Sequence, residues 1–131
     1  MKRYKLIRIL FVLYLAAVAY LCFSNSAGLP RIPAFSFPGA DKLVHFLMFF
    51  PFTPLLWFSS RRSGNVTSQE TVKRLGLICL TGFAFGLSTE IIQAILPYRE
   101  ADIKDLLADT LGIAASALVL VAIIKRKTRT K

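Results

Sequence analysis

Long apolar stretches alternate with short polar ones along this chain, and four of the apolar stretches are long enough to cross a lipid bilayer. A spanning α-helix needs about 20 predominantly apolar residues. The pattern predicts transmembrane helices at residues 6–23, 43–58, 75–96 and 106–124. We therefore predict an all-α fold, an integral membrane four-helix bundle in which residues 1–131 form a single domain.

The second apolar segment is the shortest and contains two prolines, Pro51 and Pro54. Each proline lacks the backbone N–H that the interior of a helix requires. We therefore expect the second helix to be kinked by proline. The stretch before it, residues 24–41, carries three prolines and two glycines, which predicts a loop without long secondary structure.

Composition agrees with this pattern, because charged and apolar side chains occupy separate stretches of the chain. Hydrophobic residues make up 55% of the sequence, yet the formal net charge is +10. This segregation is typical of a small integral membrane protein. The basic residues flank the apolar segments instead of forming a groove with aromatic residues, which argues against nucleic acid as a partner. Cys22 and Cys79 have no metal-binding or disulfide spacing and are interpreted as packing residues.

The basic residues predict the orientation of the helices in the membrane. Thirteen of the 17 lysines and arginines precede or begin the first segment, separate the second from the third, or follow the fourth. If all four segments cross the bilayer, these positions share one side, and positively charged loops remain in the cytoplasm. We therefore predict a multi-pass protein of the cell membrane with both termini cytoplasmic. The first segment is expected to be retained, because no clear signal-peptide cleavage pattern follows it.

Six of the seven acidic residues fall on the outer side in this arrangement, and two of them lie within apolar segments. Glu90 lies about 9 Å below the end of its helix, at about 1.5 Å per residue. Asp109 lies at a similar depth in the fourth segment, and His45 is about one turn into the second. An ionised carboxylate at this depth costs several kcal/mol unless it is paired or hydrated. We therefore expect these groups to face the interior of the bundle.

Helical spacing places these groups on the faces through which helices contact each other. Gly82, Gly86 and Glu90 follow one another at four-residue intervals, and small residues in such a row let two helices approach closely. Asp41 and His45 are also four residues apart, so their side chains are within reach of each other. The polar residues predicted to share one outward-facing pocket are Asp41, Lys42, His45, Glu90, Gln93, Arg99, Asp102, Asp105 and Asp109.

Two stretches of the chain resemble the VanZ-like family of small bacterial membrane proteins. They are "DKLVHFLMFF" and "GLSTEIIQAILPYREADIKDLLADTLG". The shared residues are the Asp-Lys-x-x-His-Phe opening, Glu90 with Gln93, Pro97 with Arg99, and Asp102 with Asp105. The resemblance implies a VanZ-like membrane domain with a polar outer site, in a family named after a protein associated with low-level teicoplanin resistance. Many members of that family have asparagine where this chain has Asp109, which implies that a polar group suffices there.

The first functional hypothesis is a binding or protective protein of the cell envelope. Its pocket would bind a lipid head group, a cell-wall precursor or a glycopeptide, and the resemblance adds low-level glycopeptide resistance. Lys42 and Arg99 would pair with a phosphate or carboxylate of the ligand. The other ligand-binding candidates are Gln93, Asp102, Asp105 and Asp109. The expected partners are membrane lipids, a lipid-linked precursor or glycopeptide, and a second copy of the chain.

The alternative hypothesis is an intramembrane hydrolase or transferase that acts on a lipid-linked substrate. His45 would act as general base, Asp41 would orient it, and Glu90 would act as acid or second base. A third interpretation is structural, with the polar groups tying the helices together. His45, Glu90 and Asp109 would suit manganese or magnesium better than zinc as metal ligands, but no sequence motif identifies a metal or another cofactor.

Overall fold

The computed structural model describes residues 2–25, 37–60 and 67–129, and these residues form five α-helices. The helices are α1 (Lys2–Phe23), α2 (Ala40–Phe49), α3 (Phe52–Ser59), α4 (Ser68–Ile95) and α5 (Ile103–Arg129). No strand occurs within these ranges. The all-α fold predicted from the sequence is therefore confirmed. Most of the loop predicted at residues 24–41 lies outside the described residues.

Four stretches of these helices are long and apolar enough to cross a membrane. They are Tyr4–Phe23, Ala40–Ser59, Ser68–Ile95 and Ile103–Arg126, so α2 and α3 together make the second span. Each is longer than the apolar segment from which it was predicted, because polar residues continue the helix past the apolar core. The four predicted spans are confirmed as helices of sufficient length and hydropathy.

Pro51 and Pro54 interrupt the second span without producing the kink that we expected. The span bends by only 11°. Pro51 keeps helical backbone angles, with φ −71° and ψ −13°, and its carbonyl oxygen accepts a hydrogen bond from the Leu55 N–H at 3.0 Å. Pro54 lies in the first turn of α3, where backbone N–H groups have no partner within the helix. The missing donors therefore separate α2 from α3 but leave their axes nearly aligned.

Apolar side chains from all four spans form the core. Val18 of α1, Phe49 of α2, Ile78 of α4 and Ile113 of α5 are each at most 4% exposed. Helix α5 packs against α2, α3 and α4, while α1 packs against α3 and α4. Because α5 touches three neighbours, a residue on its inward face can meet side chains from several helices.

Two glycines allow the closest helix contacts. Gly112 of α5 lies against the backbone of α2. The approach is so close that a Cβ at this position would collide with the carbonyl oxygen of Phe46. A Cβ at Gly82 of α4 would lie 2.8 Å from Ile113 Cδ1 and 3.0 Å from the ring of Phe52. The helices approach each other at these points because the side chain is absent.

Hydrogen bonds between helices define one end of the bundle, which we call the terminal end. Arg8 of α1 donates through Nε to the carbonyl oxygen of Ser59, at the end of α3, at 3.0 Å. Arg74 of α4 donates to the carbonyl oxygen of Trp57 at 2.8 Å and lies over the Trp57 ring. The last turns of α5 border the first turns of α4 here. The described parts of α1 and α5 thus begin and end on the same side.

The opposite end, which we call the site end, brings together the end of α1, the start of α2, the end of α4 and the start of α5. Gln93 of α4 reaches Cys22 of α1, and Lys42 of α2 reaches Asp102, just before α5. Successive spans therefore run in opposite directions.

The exposed surface of the spans is apolar, unlike that of a water-soluble protein, and acidic residues are buried within the bundle. Leu80 and Leu118 are more than 60% exposed, whereas Glu90 and Asp109 are 6% and 1% exposed. A continuous exposed apolar surface is costly in water but suits contact with lipid chains. The carboxyl groups of Glu90 and Asp109 turn inward, as we predicted for acidic residues at this depth.

Candidate functional site

Lys42 lies at the centre of an ion-pair cluster at the site end. Its Nζ is 2.6 Å from Asp41 Oδ2 and 2.8 Å from Asp102 Oδ2, and it donates a hydrogen bond to each. It also lies 2.8 Å from Asp105 Oδ1, close enough for an ion pair but outside hydrogen-bonding geometry. The hydrogen bond from Lys42 lowers the pKa of the Asp102 carboxyl below its usual value. One ammonium group therefore serves three carboxylates.

His45 is held by Asp109, which is buried against it. His45 Nδ1 lies 2.9 Å from Asp109 Oδ1, and His45 Nε2 lies 3.8 Å from Asp105 Oδ2. An ionised carboxylate only accepts hydrogen bonds, so Nδ1 would donate to an ionised Asp109, and Nε2 of the neutral imidazole would then be the acceptor. Asp41, which we expected to orient His45, forms its ion pair with Lys42 instead.

Glu90 joins helix α4 to the start of α5. Its Oε2 accepts a hydrogen bond from the backbone N–H of Asp102 at 3.0 Å. Its Oε1 is buried and has no hydrogen-bond partner among the described residues. A buried carboxylate oxygen without a donor is costly, since such groups are almost always paired in proteins. Glu90 thus uses Oε2 to bind the start of α5, while Oε1 is available to accept a hydrogen bond or to bind a cation.

The side chains of His45, Glu90 and Asp105 meet, although they come from α2, α4 and α5. Each offers one nitrogen or oxygen atom, and these three atoms all lie within 4.8 Å of one another. Together with their neighbours they form what we call the acidic cluster, which consists of Lys42, His45, Glu90, Asp102, Asp105 and Asp109. Asp41 lies at its edge, with its side chain 59% exposed. The cluster carries more negative than positive charge, so it favours cations and hydrogen-bond donors.

Gln93 and Arg99 turn towards the end of α1. Gln93 Nε2 donates to the carbonyl oxygen of Cys22 at 3.1 Å, and Arg99 Nη2 donates to the carbonyl oxygen of Leu21 at 2.5 Å. The last carbonyl groups of a helix have no partner within it and carry partial negative charge, which a cation stabilises. We call these two residues the α1-capping pair.

The contribution of α1 was missed from the sequence. Its groups at the site are the backbone carbonyls of Leu21 and Cys22, and a carbonyl carries no side-chain signal. The backbone N–H of Asp102 on Glu90 was missed for the same reason.

The two hydroxyl groups next to Glu90 in the sequence belong to Ser88 and Thr89. Ser88 Oγ is exposed and donates to the carbonyl oxygen of Phe85 at 2.6 Å. Thr89 Oγ1 is buried and donates to the carbonyl oxygen of Gly86 at 2.7 Å. Both hydroxyls hydrogen-bond within their own helix, so neither Ser88 nor Thr89 is arranged as a nucleophile.

A groove of about 190 Å³ lies elsewhere, between α4 and α5 near the terminal end. Its lining is mostly apolar and aliphatic, with Lys125 as its charged residue. No histidine, cysteine, aspartate or glutamate among the described residues lines it. The acidic cluster therefore remains the candidate site, because it gathers the reactive side chains of three helices.

Comparison with known proteins identifies relatives of the chain. The family model described as VanZ/LLP1 matches residues 11–125. A fission yeast protein (Schizosaccharomyces pombe) that is described only as uncharacterized is 31% identical over 118 residues. The match covers 90% of this chain and 64% of the yeast protein, so the chain spans somewhat less than two thirds of that relative. No solved structure matches the chain significantly.

Proposed function

We propose, starting from the fact that the chain belongs to the VanZ/LLP1 family, that it binds the polar head group of a membrane lipid or lipid-linked precursor in the acidic cluster. The observation that carries this proposal is the meeting of His45, Glu90 and Asp105 from three helices, with Glu90 buried. A lipid ligand would place its head group in the cluster while its apolar tail remains in the membrane.

The unpaired oxygens indicate what kind of head group the cluster would take. Glu90 Oε1 and Asp109 Oδ2 are buried acceptors without a hydrogen-bond partner among the described residues. A ligand that offers hydroxyl or amine donors would satisfy them, and hydrogen bonds to charged groups are stronger than neutral ones. If the cluster served only to tie helices together, we would expect each of these oxygens to be paired.

The contacts of two basic residues support roles other than ligand recognition. Lys42 faces three carboxylates, and Arg99 donates to the end of α1. A phosphate or carboxylate ligand would have to compete with these partners. We therefore assign recognition to the acceptors of the acidic cluster and not to Lys42 or Arg99.

The orientation predicted from charge would place the acidic cluster in the outer leaflet of the cell membrane. Basic residues concentrate at the terminal end, including Lys5, Arg8, Lys73 and Arg74, and this end would face the cytoplasm. A site in the outer leaflet meets envelope lipids and cell-wall precursors. Glycopeptide resistance would then follow where the bound head group belongs to a precursor that such a drug recognises. The similar fission yeast protein indicates that related chains also occur in a eukaryote.

Native mass spectrometry of the detergent-purified full chain tests this function. We expect the wild-type protein to retain a lipid adduct of defined mass, and we expect Glu90→Gln to lose at least about nine tenths of it. A tenfold loss corresponds to about 1.4 kcal/mol, a modest value for a charged hydrogen bond. Glu100→Gln is the matched control, because Glu100 is exposed at the same end of the bundle.

Two results would overturn the proposal. A wild-type protein without a specific adduct, or equal adducts in wild type and Glu90→Gln, would leave the polar groups with a structural role. Circular dichroism and size-exclusion profiles would establish that each variant is folded.

A second candidate function is hydrolysis or group transfer on a lipid-linked substrate. The observation that favours it is the contact between His45 Nδ1 and Asp109 Oδ1, which leaves Nε2 able to accept a proton from a water molecule. Incubation of the purified protein with lipid-linked phosphate and ester substrates would reveal a product that His45→Gln does not form. If wild type and His45→Gln release equal amounts, this second function is excluded for those substrates.

A further inference from the structure

We propose that His45, Glu90 and Asp105 form a binding site for one divalent metal ion, with Asp109 orienting the histidine ligand. The inference goes beyond the proposed function, because the site is built from protein groups alone and does not require a bound lipid. It also differs from the ligand set suggested by the sequence, in which Asp109 took the place of Asp105.

The distances among the three ligand atoms suit a metal ion after a small contraction. The atoms lie within 4.8 Å of one another. A point midway between three atoms that are all 4.8 Å apart is about 2.8 Å from each of them, whereas a metal–ligand bond is about 2.2 Å long. Each ligand atom therefore needs to move inward by about 0.6 Å or less. Rotation of a carboxylate about its terminal torsion can supply such a movement, since this torsion is broad.

Glu90 supplies the independent observation that points to a ligand. The side chain is 94% buried, as the complement of its 6% exposure, and its Oε1 has no hydrogen-bond partner among the described residues. Its other oxygen is fixed by the Asp102 N–H. The carboxylate is thus anchored through one oxygen while the other remains free to coordinate.

His45 is oriented as metal-binding histidines usually are. Such residues donate from the second ring nitrogen to a carboxylate or carbonyl, which fixes the ring and makes the first nitrogen a better ligand. Here Nδ1 faces Asp109 Oδ1 at 2.9 Å, and Asp109 is 1% exposed. The nitrogen on the opposite edge, Nε2, is directed towards Asp105. Asparagine at position 109 would keep this acceptor through its carbonyl oxygen.

Asp105 divides its two oxygens between Lys42 and the proposed ion. Oδ1 lies 2.8 Å from Lys42 Nζ, while Oδ2 lies 3.8 Å from His45 Nε2. The ammonium group thus occupies one side of the carboxylate, and the side facing the histidine remains available. An ion bound there would further offset the excess of carboxylates in the acidic cluster.

The ligand set indicates Mn²⁺ as the first ion to test. One imidazole and two carboxylates combine a nitrogen donor with hard oxygen donors. This set suits Mn²⁺ better than an ion that prefers oxygen ligands alone. Zn²⁺ also binds such donors, although its structural sites usually include thiolates, and Cys22 contributes its carbonyl, not its thiol, to a neighbouring contact. Zn²⁺ serves as a second probe.

The test is calorimetric titration of the detergent-purified full chain with MnCl₂, after treatment with EDTA and removal of the chelator. We expect one Mn²⁺ per wild-type chain. We expect Glu90→Gln and Asp105→Asn each to weaken binding at least tenfold, because each removes a charged ligand. Glu100→Gln, at an exposed carboxylate on the same end of the bundle, should bind Mn²⁺ like wild type. The same series with ZnCl₂ should show the same order of variants.

The outcomes separate this inference from the proposed function. A stoichiometric metal site without a lipid adduct would support the inference and count against head-group binding. A lipid adduct without stoichiometric Mn²⁺ or Zn²⁺ binding would overturn the inference alone. Equal metal affinity in wild type, Glu90→Gln and Asp105→Asn would also overturn it, provided that the helical circular dichroism signals agree.

Discussion

At the scale of single residues, burial separates polar groups that serve the fold from those that are available to a ligand. Thr89 is 1% exposed, but its hydroxyl donates to a carbonyl of its own helix. Glu90 is similarly buried and keeps one oxygen unpaired. Buried polar groups in proteins are nearly always hydrogen-bonded, so the second arrangement indicates a function while the first requires none.

Gly112→Ala tests the closest helix contact. We expect the variant to be destabilised by about 1–3 kcal/mol, because its Cβ would meet the backbone of Phe46, which cannot move aside as a flexible side chain can. Gly76→Ala is the control, since a Cβ added at that position would have no neighbouring atom within 4 Å, and alanine favours helix by up to about 1 kcal/mol. Thermal unfolding in detergent measures both. Equal stability of the two variants would contradict the contact between α5 and α2.

At the scale of helices, the last carbonyl groups of α1 obtain hydrogen-bond donors from residues that are far away in the sequence. Gln93 and Arg99, the α1-capping pair, donate to carbonyls of Cys22 and Leu21. These contacts fasten α1 to the end of α4 and to the segment that follows it. Two residues that we predicted to bind a ligand thus also contact the end of a helix, and their role in ligand binding stays a prediction.

Arg99→Lys and Arg99→Ala distinguish helix capping from ligand recognition. If Arg99 caps α1, lysine should largely replace it, because an ammonium group also donates to carbonyls and complements the helix dipole. Alanine should lose about 1 kcal/mol locally, which speeds hydrogen exchange at the end of α1 about fivefold. Exchange mass spectrometry of a peptide ending near Phe23 measures this effect.

The opposite pattern would restore the ligand role of Arg99. That pattern is a loss of the lipid adduct in Arg99→Lys together with unchanged exchange in Arg99→Ala. A bidentate contact to phosphate depends on the planar guanidinium group and not on charge alone.

At the scale of the whole molecule, charge and hydrophobicity are arranged along one axis. Four apolar spans separate a basic terminal end from an acidic site end. This asymmetry predicts the orientation in the membrane, because basic segments remain on the cytoplasmic side.

Cysteine labelling in intact cells tests that orientation. Glu100→Cys places a thiol at the exposed site end, and Ser68→Cys places one at the exposed terminal end. We expect a membrane-impermeant maleimide to label Glu100→Cys directly and to label Ser68→Cys only after the membrane is permeabilised. The native Cys22 is buried and Cys79 is partly buried, so labelling of the wild-type chain measures the background. Labelling of Ser68→Cys alone in intact cells would reverse the orientation.

The four spans followed from the sequence because burial in lipid requires uninterrupted apolar stretches, which can be counted without knowing the fold. Helical spacing also indicated that Glu90 and Asp109 face inward, since the glycines of α4 and α5 mark the contact faces. The kink predicted from the prolines was wrong. A new helix, α3, begins at Phe52, so the backbone N–H groups that the prolines lack are not required by the hydrogen bonds of a continuous helix.

Only the tertiary structure decided which polar groups meet. The sequence favoured a contact between Asp41 and His45, which are neighbours on one helix, whereas the fold brings Asp109 to His45 from 64 positions away. It also brought Arg99 to α1 through a backbone carbonyl, a group that every residue possesses. Spacing determines the face of a helix on which a residue lies, but the relative rotation and depth of packed helices determine its partner.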